Sequence, residues 1–258
     1  MRGLGGKVAI VVGGAGGIGT ATCTRLAEEG CSVAVADLDG AAAAAVADRI
    51  TTGGGKAIAA EADIGNEEQV RALIDRTVAD FGGVDILHAN AADLSAEGIG
   101  SDSDVVDMPL DSFDRTIRAG ARGHLLCARY AIPRLLERGG GALVFTSSGS
   151  AFAGEPQRPS YAMSKSGINA LVRHIASRWG KEGIRANAVA PGLVRTEKNL
   201  QILDDENTLS MILSTIRSPR VGKPDDIAAM VAFLASDDGE WINGQVMHIN
   251  GGGSFLSF

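Results

Sequence analysis

Short runs of apolar residues alternate along the chain with segments that carry apolar residues on one helical face. Residues 7–12 (KVAIVV) are rich in β-branched side chains, which is typical of a buried strand. Similar runs predict six more strands, at residues 32–36, 56–60, 84–89, 142–146, 185–189 and 245–249. Helix propensity and apolar spacings of three and four residues predict helices at residues 18–29, 41–50, 70–81, 113–137, 161–180 and 225–235.

This alternation predicts an α/β fold: a doubly wound, mostly parallel seven-stranded sheet with helices on both faces. The chain shows no internal repeat and no linker rich in Pro, Ser or Gly, so we expect residues 1–258 to form a single domain. Two connections, at about residues 93–111 and 196–219, are long for a compact domain. Long loops of this kind often carry function, and we expect both to border a substrate.

Composition narrows the classes of function. The chain has 24 Lys+Arg against 31 Asp+Glu, a formal net charge of −7, which argues against a nucleic-acid partner. No apolar run reaches the ~18 residues of a membrane span, and the N-terminus shows no secretory signal. The three cysteines lie far apart without metal-ligand spacing, so we predict a cytoplasmic protein with neither a disulfide nor a metal site. Among the histidines, we expect His88 in the core, and His124 and His174 at a surface or interface.

A glycine-rich turn follows the first predicted strand and leads into the first predicted helix. Its sequence is GGAGGIG, at residues 13–19. Glycines let the backbone approach a pyrophosphate closely, and the free N–H groups of the helix N-terminus bind the anion. A lone glycine string is a weak signal, but this one has the strand–turn–helix context of a dinucleotide site. We therefore predict that Gly13, Gly17, Ile18 and Gly19 bind a dinucleotide cofactor.

The second predicted strand is followed by Asp37, 18 residues beyond Gly19. A carboxylate at this distance bonds the ribose hydroxyls of the adenosine half and repels a 2′-phosphate. No Arg or Lys lies in the glycine turn or directly after Asp37 to hold such a phosphate. This pattern favours NAD over NADP; the competing interpretation is a solvated Asp that starts a turn.

Tyr161 and Lys165 lie four residues apart in a predicted helix and share one face. An ammonium beside a phenol favours the phenolate, so we expect Lys165 to lower the pKa of Tyr161 and make it a general acid/base. Ser148 follows the fifth predicted strand, at the sheet edge where doubly wound folds bind ligands. A hydroxyl there could hold a substrate oxygen beside the hydroxyl of Tyr161.

With these motifs, the chain resembles the short-chain dehydrogenase/reductase family, in its short single-domain branch with a Rossmann-like fold. The resemblance extends from about residue 7 to residue 252. The motifs stand in the family's order: VVGGAGGIG at 11–19, Asp37, Asp63-Ile64, Asn90-Ala91, Ser148, Tyr161 with Lys165, Asn187, Pro191-Gly192 and NGQVMHINGG at 243–252.

The resemblance implies a role for each matching residue. Tyr161 would exchange a proton with the substrate, Lys165 would hold the nicotinamide ribose, and Ser148 would orient the substrate oxygen. The other matches would contact the cofactor: Asp63 and Ile64 at the adenine, Asn90 and Ala91 near a ribose, and Pro191, Gly192, Val194 and Thr196 at the nicotinamide. The resemblance also implies a homotetramer or homodimer, with the predicted helices at 113–137 and 161–180 at an interface.

The sequence departs from the family's pattern at several points. Val12 replaces the usual Thr, and residues 89–92 read Ala-Asn-Ala-Ala instead of Asn-Asn-Ala-Gly. Gly120 stands where the family has the Asn of a proton relay to solvent. Two interpretations are open: the Gly120 carbonyl still holds a relay water, or the relay is broken and turnover is slow or absent. On the first, Gly120→Asn should leave the rate similar or raise it. A glycine inside a helix also indicates a distorted backbone.

The connection at 93–111 is longer and more acidic than is usual in the family, with carboxylates at Asp93, Glu97, Asp102, Asp104, Asp107 and Asp111. It is either a solvated acidic loop or a substrate wall or subunit contact, and an acidic rim would disfavour strongly anionic substrates. The second connection, which the resemblance makes a mobile flap, favours an apolar substrate wall through Met211, Ile212, Leu213 and Ile216. We expect the apolar tail, residues 254–258, to pack against a neighbouring subunit.

The sequence therefore predicts an NAD(H)-dependent oxidoreductase that interconverts a secondary alcohol and a ketone, on a cyclic or apolar small molecule. One alternative is a reductase of carrier-bound 3-oxoacyl groups. Another, motivated by Gly120, is a cofactor-binding protein with little turnover. The preference for NAD favours the oxidative direction.

Overall fold

Seven parallel strands form one sheet in the part of the chain that the structure describes. The structure is a computed structural model, and it describes residues 1–254 apart from the side chains of residues 198, 201 and 202. The strands are β1 (Val8–Val12), β2 (Ser32–Asp37), β3 (Lys56–Glu61), β4 (Ile86–Ala89), β5 (Gly141–Thr146), β6 (Ile184–Pro191) and β7 (Val246–Ile249). Their order is β3-β2-β1-β4-β5-β6-β7, with every neighbouring pair parallel. The predicted fold class is confirmed, and each predicted strand lies within two residues of its expected bounds.

Helices cover both faces of this sheet. They are α1 (Gly17–Glu28), α2 (Gly40–Thr52), α3 (Glu67–Phe81), α4 (Leu110–Ile117), α5 (Gly123–Glu137), α6 (Pro159–Trp179), α7 (Leu200–Leu203), α8 (Glu206–Thr215) and α9 (Pro224–Ala235). Alternate residues of a strand point to opposite faces, so β1 sends Ile10 and Val12 to one core and Ala9 and Val11 to the other. The first core packs under α3, α5 and α6, and the second under α1, α2 and α9.

The order of the strands changes direction between β1 and β4. The chain runs outward from β1 to β3 and then returns to place β4 on the other side of β1. Doubly wound folds bind their ligands in the crevice that this reversal opens at the carboxyl ends of the strands. Val12 pairs with Ala89 at the ends of the two strands, so Gly13 and Asn90 are the first residues beyond them.

The stretch that the sequence predicts as one helix, residues 113–137, consists of three helical segments. α4 continues into a single π-helical turn, Arg118–Arg122, and then into α5. Gly120 lies in the middle of this turn, so the backbone distortion that the sequence indicates is present. Single π-turns inside α-helices are frequent at functional sites.

The two long connections differ from each other. Before α4 begins, the first contains a short 3-10 turn, Ile99–Ser101, and is otherwise irregular. The second also contains helices α7 and α8, which the hydrophobic pattern does not predict. Asp205 starts α8 by accepting a hydrogen bond from Thr208 N at 2.8 Å, and no residue of α8 is buried. A surface helix that is stabilised by its N-cap needs no buried apolar face, so the apolar pattern does not predict it.

Further predictions concern membranes and the end of the chain. Among the described helices, none has both the length and the apolar composition that a membrane crossing requires. Residues 1–254 bring no three His, Cys, Asp or Glu side chains together in an arrangement that could hold a metal ion. The subunit contact predicted for the apolar tail involves residues 255–258, which lie outside the described part.

Candidate active site

Asn90 holds the glycine-rich turn against β4 and β5. Its Nδ2 donates to Gly13 O at 3.1 Å, and its backbone N–H donates to Val12 O at 2.9 Å. Its Oδ1 accepts a hydrogen bond from Thr146 Oγ1 at 2.9 Å, which joins the turn to the end of β5. One side chain therefore fixes the predicted cofactor loop relative to the strand that precedes Ser148.

The three glycines predicted to bind the cofactor leave no room for a side chain. Gly13 has a φ of +77°, and a Cβ there would lie 2.8 Å from Ala91 N. A Cβ on Gly19 would lie 1.9 Å from Gly13 O, and one on Gly17 would lie 2.9 Å from Thr196 Cγ2. Because α1 begins at Gly17, the residues Gly17, Ile18 and Gly19 supply its first free N–H groups. This tight turn before a helix fits a pyrophosphate.

Asp37 turns back from the end of β2 toward the glycine turn. Its Oδ2 accepts a hydrogen bond from Ala15 N at 2.9 Å, and its Oδ1 accepts one from Asp39 N at 3.2 Å. Asp37 and Glu61 line an open cleft at the carboxyl ends of β2 and β3. A ligand phosphate in this cleft would meet carboxylates, whereas ribose hydroxyls could donate to them.

The predicted adenine contacts follow β3. Asp63 accepts a hydrogen bond from Gly65 N at 2.7 Å and forms an ion pair with Arg118 at 2.6 Å. Ile64 is 4% exposed and packs against Gly123, where an added Cβ would lie 2.9 Å from the Ile64 side chain. Because the Ile64 side chain belongs to the core, only its backbone can contact a cofactor.

The structure brings Ser148, Tyr161 and Lys165 together at the carboxyl edge of the sheet. Ser148 lies two residues beyond β5, and its hydroxyl is near enough to the Tyr161 phenol to lower the pKa of that phenol. Lys165 is 1% exposed, and its Nζ lies 5.5 Å from the centroid of the Tyr161 ring. The Lys165 ammonium donates to Thr146 O at 2.7 Å. A hydroxyl, a phenol and an ammonium therefore surround one place, where they could hold an oxygen and move its proton.

Burial shifts the pKa of two of these groups. It raises the pKa of Tyr161 above the ordinary value of 10, while the nearby hydroxyl of Ser148 and the charge of Arg158 act in the opposite direction. Burial also lowers the pKa of Lys165 from 10.5 to about 8. The net shift of the Tyr161 pKa is thus opposite to the lowering that the sequence predicts. The ammonium donates to a carbonyl and not to the phenol, and desolvation of the phenolate prevails.

The segment predicted to contact the nicotinamide extends from the end of β6 to the glycine turn. Gly192 N donates to Ile249 O at 2.9 Å, and Val194 forms an isolated parallel bridge with Gly222. Thr196 N donates to Asn199 Oδ1 at 2.8 Å, which starts the next helical turn. Thr196 lies against Gly17, so the segment that begins at Pro191 reaches the glycine turn.

Gly120 makes room for the hydroxyl of Ser164. Ser164 Oγ accepts a hydrogen bond from Ala121 N at 3.0 Å, and a Cβ on Gly120 would lie 1.8 Å from this oxygen. The Gly120 carbonyl is 2.9 Å from His124 Nδ1. Because the family's Asn would collide with Ser164 as it lies here, the prediction that Gly120→Asn leaves the rate similar or higher no longer follows. Gly120 and Ser164 form one packing unit beside Lys165.

Two of the buried polar residues at the site are histidines. His88 is fully buried, as predicted, and its Nε2 lies 3.0 Å from Thr146 Oγ1. His124 is also fully buried, so its predicted surface position is wrong: the π-turn directs the ring inward to the Gly120 carbonyl. Burial lowers the pKa of each histidine to about 3, which keeps both neutral at pH 7.

Asp102 is a site residue that nothing in the sequence separates from the other acids of its loop. It is 2% exposed, whereas Glu97, Asp104, Asp107 and Asp111 are exposed. Its carboxylate accepts hydrogen bonds from the first turn of α6, where Tyr161 lies. A solvated loop therefore describes most of these acids but not Asp102.

Apolar side chains lie on the segments that follow the site residues. Leu94 is four residues beyond Asn90, Phe152 is four beyond Ser148, and Leu193 is two beyond Pro191; all three are exposed. The Phe152 ring packs on His248 of β7, with a centroid distance of 4.7 Å. Met211 of α8 is also exposed. Leu94, Phe152 and Leu193 thus expose apolar side chains on segments that leave the carboxyl edge of the sheet.

Sequence comparison finds relatives along nearly the whole chain. Residues 13–254 match a family model described as enoyl-(acyl carrier protein) reductase. A probable short-chain type dehydrogenase/reductase of Bradyrhizobium diazoefficiens is 43% identical, over 96% of this chain and 87% of its own length. The mitochondrial (−)-isopiperitenol/(−)-carveol dehydrogenase of Mentha piperita is 35% identical, over 100% of this chain and 97% of its own.

Structural comparison finds a close match among solved structures. A 7α-hydroxysteroid dehydrogenase, solved in complex with NADH and 7-oxo glycochenodeoxycholic acid, superposes with a TM-score of 0.89 and is 33% identical. The match covers 97% of this chain and 95% of the solved chain. The resemblance drawn from the motifs is thus supported by whole-chain similarity in sequence and in structure.

Proposed function

Because the chain belongs to the short-chain dehydrogenase/reductase family, whose members are oxidoreductases, we propose that it interconverts a secondary alcohol and a ketone with NAD(H). The observation that carries the proposal is the meeting of Ser148, Tyr161 and Lys165 beside the glycine turn. Hydroxyl, phenol and ammonium together match the proton chemistry of a carbinol, and the turn fits a dinucleotide.

Each of the three residues has a distinct task. Ser148 Oγ holds the oxygen of the substrate, and the Tyr161 hydroxyl exchanges a proton with that oxygen. With a pKa of about 8, Lys165 is mainly protonated at pH 7, so its charge stabilises the phenolate as it forms. The bound nicotinamide would accept or donate the hydride.

Asp37 supports the choice of NAD. Its carboxylate and that of Glu61 line the cleft where the adenosine ribose of a dinucleotide would lie, and a 2′-phosphate would be repelled there. Pro191, Gly192, Val194 and Thr196 would border the nicotinamide half, and the backbone of Ile64 with Asp63 would border the adenine. Asn90 and Ala91 would lie near a ribose.

The substrate class that fits best is a cyclic or otherwise apolar alcohol. Leu94, Phe152 and Leu193 expose apolar side chains on the segments that follow Asn90, Ser148 and Pro191, and such surface favours apolar ligands. The relatives named for carveol, for a chlorinated cyclohexadiene diol and for a hydroxysteroid act on cyclic alcohols, in agreement with this surface. The description of the matched family model keeps a carrier-bound acyl group as the competing class. The exposed carboxylates of the 93–111 connection disfavour such a strongly anionic substrate.

We also propose a homotetramer or homodimer located in the cytoplasm. Val105, Val106, Leu110 and Leu125 expose apolar surface on the first connection, α4 and α5. Exposed apolar surface of this kind marks contact sites between proteins. The three cysteines are free and buried, which suits a reducing compartment. Light scattering coupled to size-exclusion chromatography measures the mass, and a monomer at micromolar concentration would contradict the oligomer.

The test is nicotinamide absorbance with NAD and with NADP over a panel of cyclic, aromatic, aliphatic and carrier-bound alcohols and ketones. Tyr161→Phe removes the proton-transferring hydroxyl and is expected to lower kcat by about 100-fold or more. Tyr130→Phe is the matched control, because the half-buried phenol of Tyr130 donates to Glu67 on α3 and not to Ser148, Tyr161 or Lys165.

The outcomes separate the candidate functions. Turnover of a cyclic alcohol with NAD that Tyr161→Phe abolishes supports the proposal. Turnover confined to carrier-bound ketones would show that the substrate is a carrier-bound acyl group. Turnover with NADP alone would show that the cofactor is NADP and not NAD. If NAD binds while the whole panel gives no turnover, the protein is a cofactor-binding protein and the proposed activity is wrong.

A further inference from the structure

The first turn of α6 lacks a cap of its own. Arg158 occupies the N-cap position but makes no side-chain hydrogen bond to the helix. It has φ +66° and ψ +43°, and it is the non-glycine residue with positive φ in the described chain. The first N–H groups of a helix have no partner within it, so acceptors must come from elsewhere.

Asp102, from the first long connection, supplies these acceptors. Its Oδ1 accepts from Ser160 N at 3.2 Å and from Ser160 Oγ at 2.9 Å, and its Oδ2 accepts from Tyr161 N at 2.9 Å. The backbone takes part as well, because Arg158 N donates to Asp102 O at 3.1 Å and to Ser103 O at 2.9 Å. Two residues of the connection thus bind three residues at the start of α6, namely Arg158, Ser160 and Tyr161.

The charge of Asp102 is compensated by the helix and not by a cation. Asp102 is 2% exposed, and no basic side chain that the structure describes forms an ion pair with it. A buried carboxylate needs several donors, and it is favoured at the positive end of a helix. An amide of the same shape could not replace it, because only one end of an Asn side chain accepts, so that either Ser160 N or Tyr161 N would lose its acceptor.

We propose that Asp102 is the positioning residue of Tyr161: by binding the first turn of α6, it sets where the phenol lies relative to Ser148. This inference rests on the proposed function of Tyr161. Ser148 is fixed separately by β5 and its 3-10 turn, so the distance between the two hydroxyls depends on how the start of α6 is held. A displacement of about 1 Å at a reacting group can cost about 100-fold in rate.

The same contact links the first connection to the tyrosine. The connection also carries the exposed Leu94, four residues beyond Asn90, and Ser112 Oγ of α4 donates to Gly98 O of the connection at 2.7 Å. The hydrogen bonds of Asp102 therefore tie this connection directly to the helical turn that carries Tyr161.

Asp102→Asn tests the proposal, with Asp107→Asn as the matched control. Both are the same chemical change in the same connection, but Asp107 is exposed and its carboxylate makes no hydrogen bond within the described chain. We expect Asp102→Asn to lower kcat by about 10- to 100-fold with an unchanged KM for NAD. We also expect a larger solvent deuterium isotope effect on kcat, since proton transfer by a displaced Tyr161 becomes slower. Asp107→Asn should change neither quantity.

Three results would overturn the inference. One is an unchanged kcat in folded Asp102→Asn. Another is a variant whose activity falls only in proportion to the amount of protein that still binds NAD, while its isotope effect equals that of the wild type. Asp102 would then have a purely structural role. The third is equal effects of both variants. A wild type without turnover on the whole panel would instead contradict the proposed function, so the two failures are distinguishable.

Hydrogen exchange on the wild type keeps the test decisive if Asp102→Asn does not fold. The amides of Ser160 and Tyr161 should be protected at least as well as those of the next turn of α6, because each donates to a buried carboxylate. Exchange of these two amides at the rate of an uncapped first turn would overturn the inference without any variant.

Discussion

At the scale of the residue, the site combines buried polar groups whose positions depend on one another. Thr146 illustrates this: its carbonyl accepts from Lys165, and its hydroxyl contacts His88 and donates to Asn90. Buried polar groups need such partners, and a network of this kind holds a unique arrangement. The burial that holds these groups in place for the proposed chemistry also lowers the pKa values of Lys165, His88 and His124.

The buried Lys165 should make stability depend on alkaline pH. Its pKa falls from 10.5 to about 8 in the folded chain, so between these values the unfolded chain binds more protons. Stability therefore rises with pH across this window, and the benefit is lost as pH falls through 8. Between pH 8 and pH 10 the wild type should gain about 2 kcal/mol over Lys165→Met. Urea unfolding of both proteins at these two pH values measures it, and parallel pH profiles would contradict it.

Asp37 should control the choice between the two nicotinamide cofactors. Asp37→Ala removes the carboxylate that repels a 2′-phosphate, and it also removes the acceptor of Ala15 N. We expect kcat/KM with NAD to fall and the ratio of NADP to NAD to rise by about tenfold or more. Asp48→Ala, on the exposed side of α2, is the control and should leave the ratio unchanged. An unchanged ratio in Asp37→Ala would mean that another group selects the cofactor.

At the scale of the element, periodicity predicts the strands and the main helices well but not how the helix at 110–137 is built. At the π-turn, Ser164 of α6 occupies the space of a side chain on Gly120 and accepts a hydrogen bond from Ala121 N. The capping of α6 likewise comes from a distant connection and not from the helix itself. In both cases the local conformation depends on a partner far away in the chain.

The packing of Gly120 on Ser164 predicts a coupled pair of substitutions. Gly120→Asn alone should destabilise the fold by about 1–3 kcal/mol and lower activity, because its Cβ overlaps Ser164 Oγ. Adding Ser164→Ala removes the colliding oxygen and should restore part of both. Ser164→Ala alone should cost about 1 kcal/mol through the lost partner of Ala121 N. Unfolding free energies and kcat of the three variants complete a double-mutant cycle, and strict additivity would contradict the coupling.

At the scale of the whole molecule, the strand order brings together residues that are far apart in the chain. Gly13, Asn90, Ser148 and Gly192 follow four different strands, and parallel pairing places them at one edge of the sheet. The core beneath this edge encloses two neutral histidines. Because the buried histidines resist protonation, the free energy of unfolding should fall as the pH becomes acidic.

The buried histidines should make the protein sensitive to acid. His124 has a folded pKa of about 3, against an ordinary 6.5, so its contribution is complete above pH 6.5 and is lost as pH falls toward 3. Between pH 7 and pH 4.5 the wild type should lose about 3 kcal/mol more than His124→Phe, which cannot titrate. His88 should behave in the same way, since its pKa is also about 3. Urea unfolding at the two pH values measures the difference, and equal losses would show that His124 is not buried as described.

The sequence by itself determined the alternation of strands and helices, the strand bounds to within two residues, and the family motifs. Strand and helix periods are local, and Gly13, Asp37, Ser148, Tyr161 and Lys165 lie in recognisable short patterns. Only the tertiary structure decided the raised Tyr161 pKa, the inward-facing His124, the need for Gly120 beside Ser164, and the carboxylate of Asp102 on α6. Burial and contacts across tens of residues cause each of these features, and neither propensity nor spacing encodes what lies on the other side of a contact.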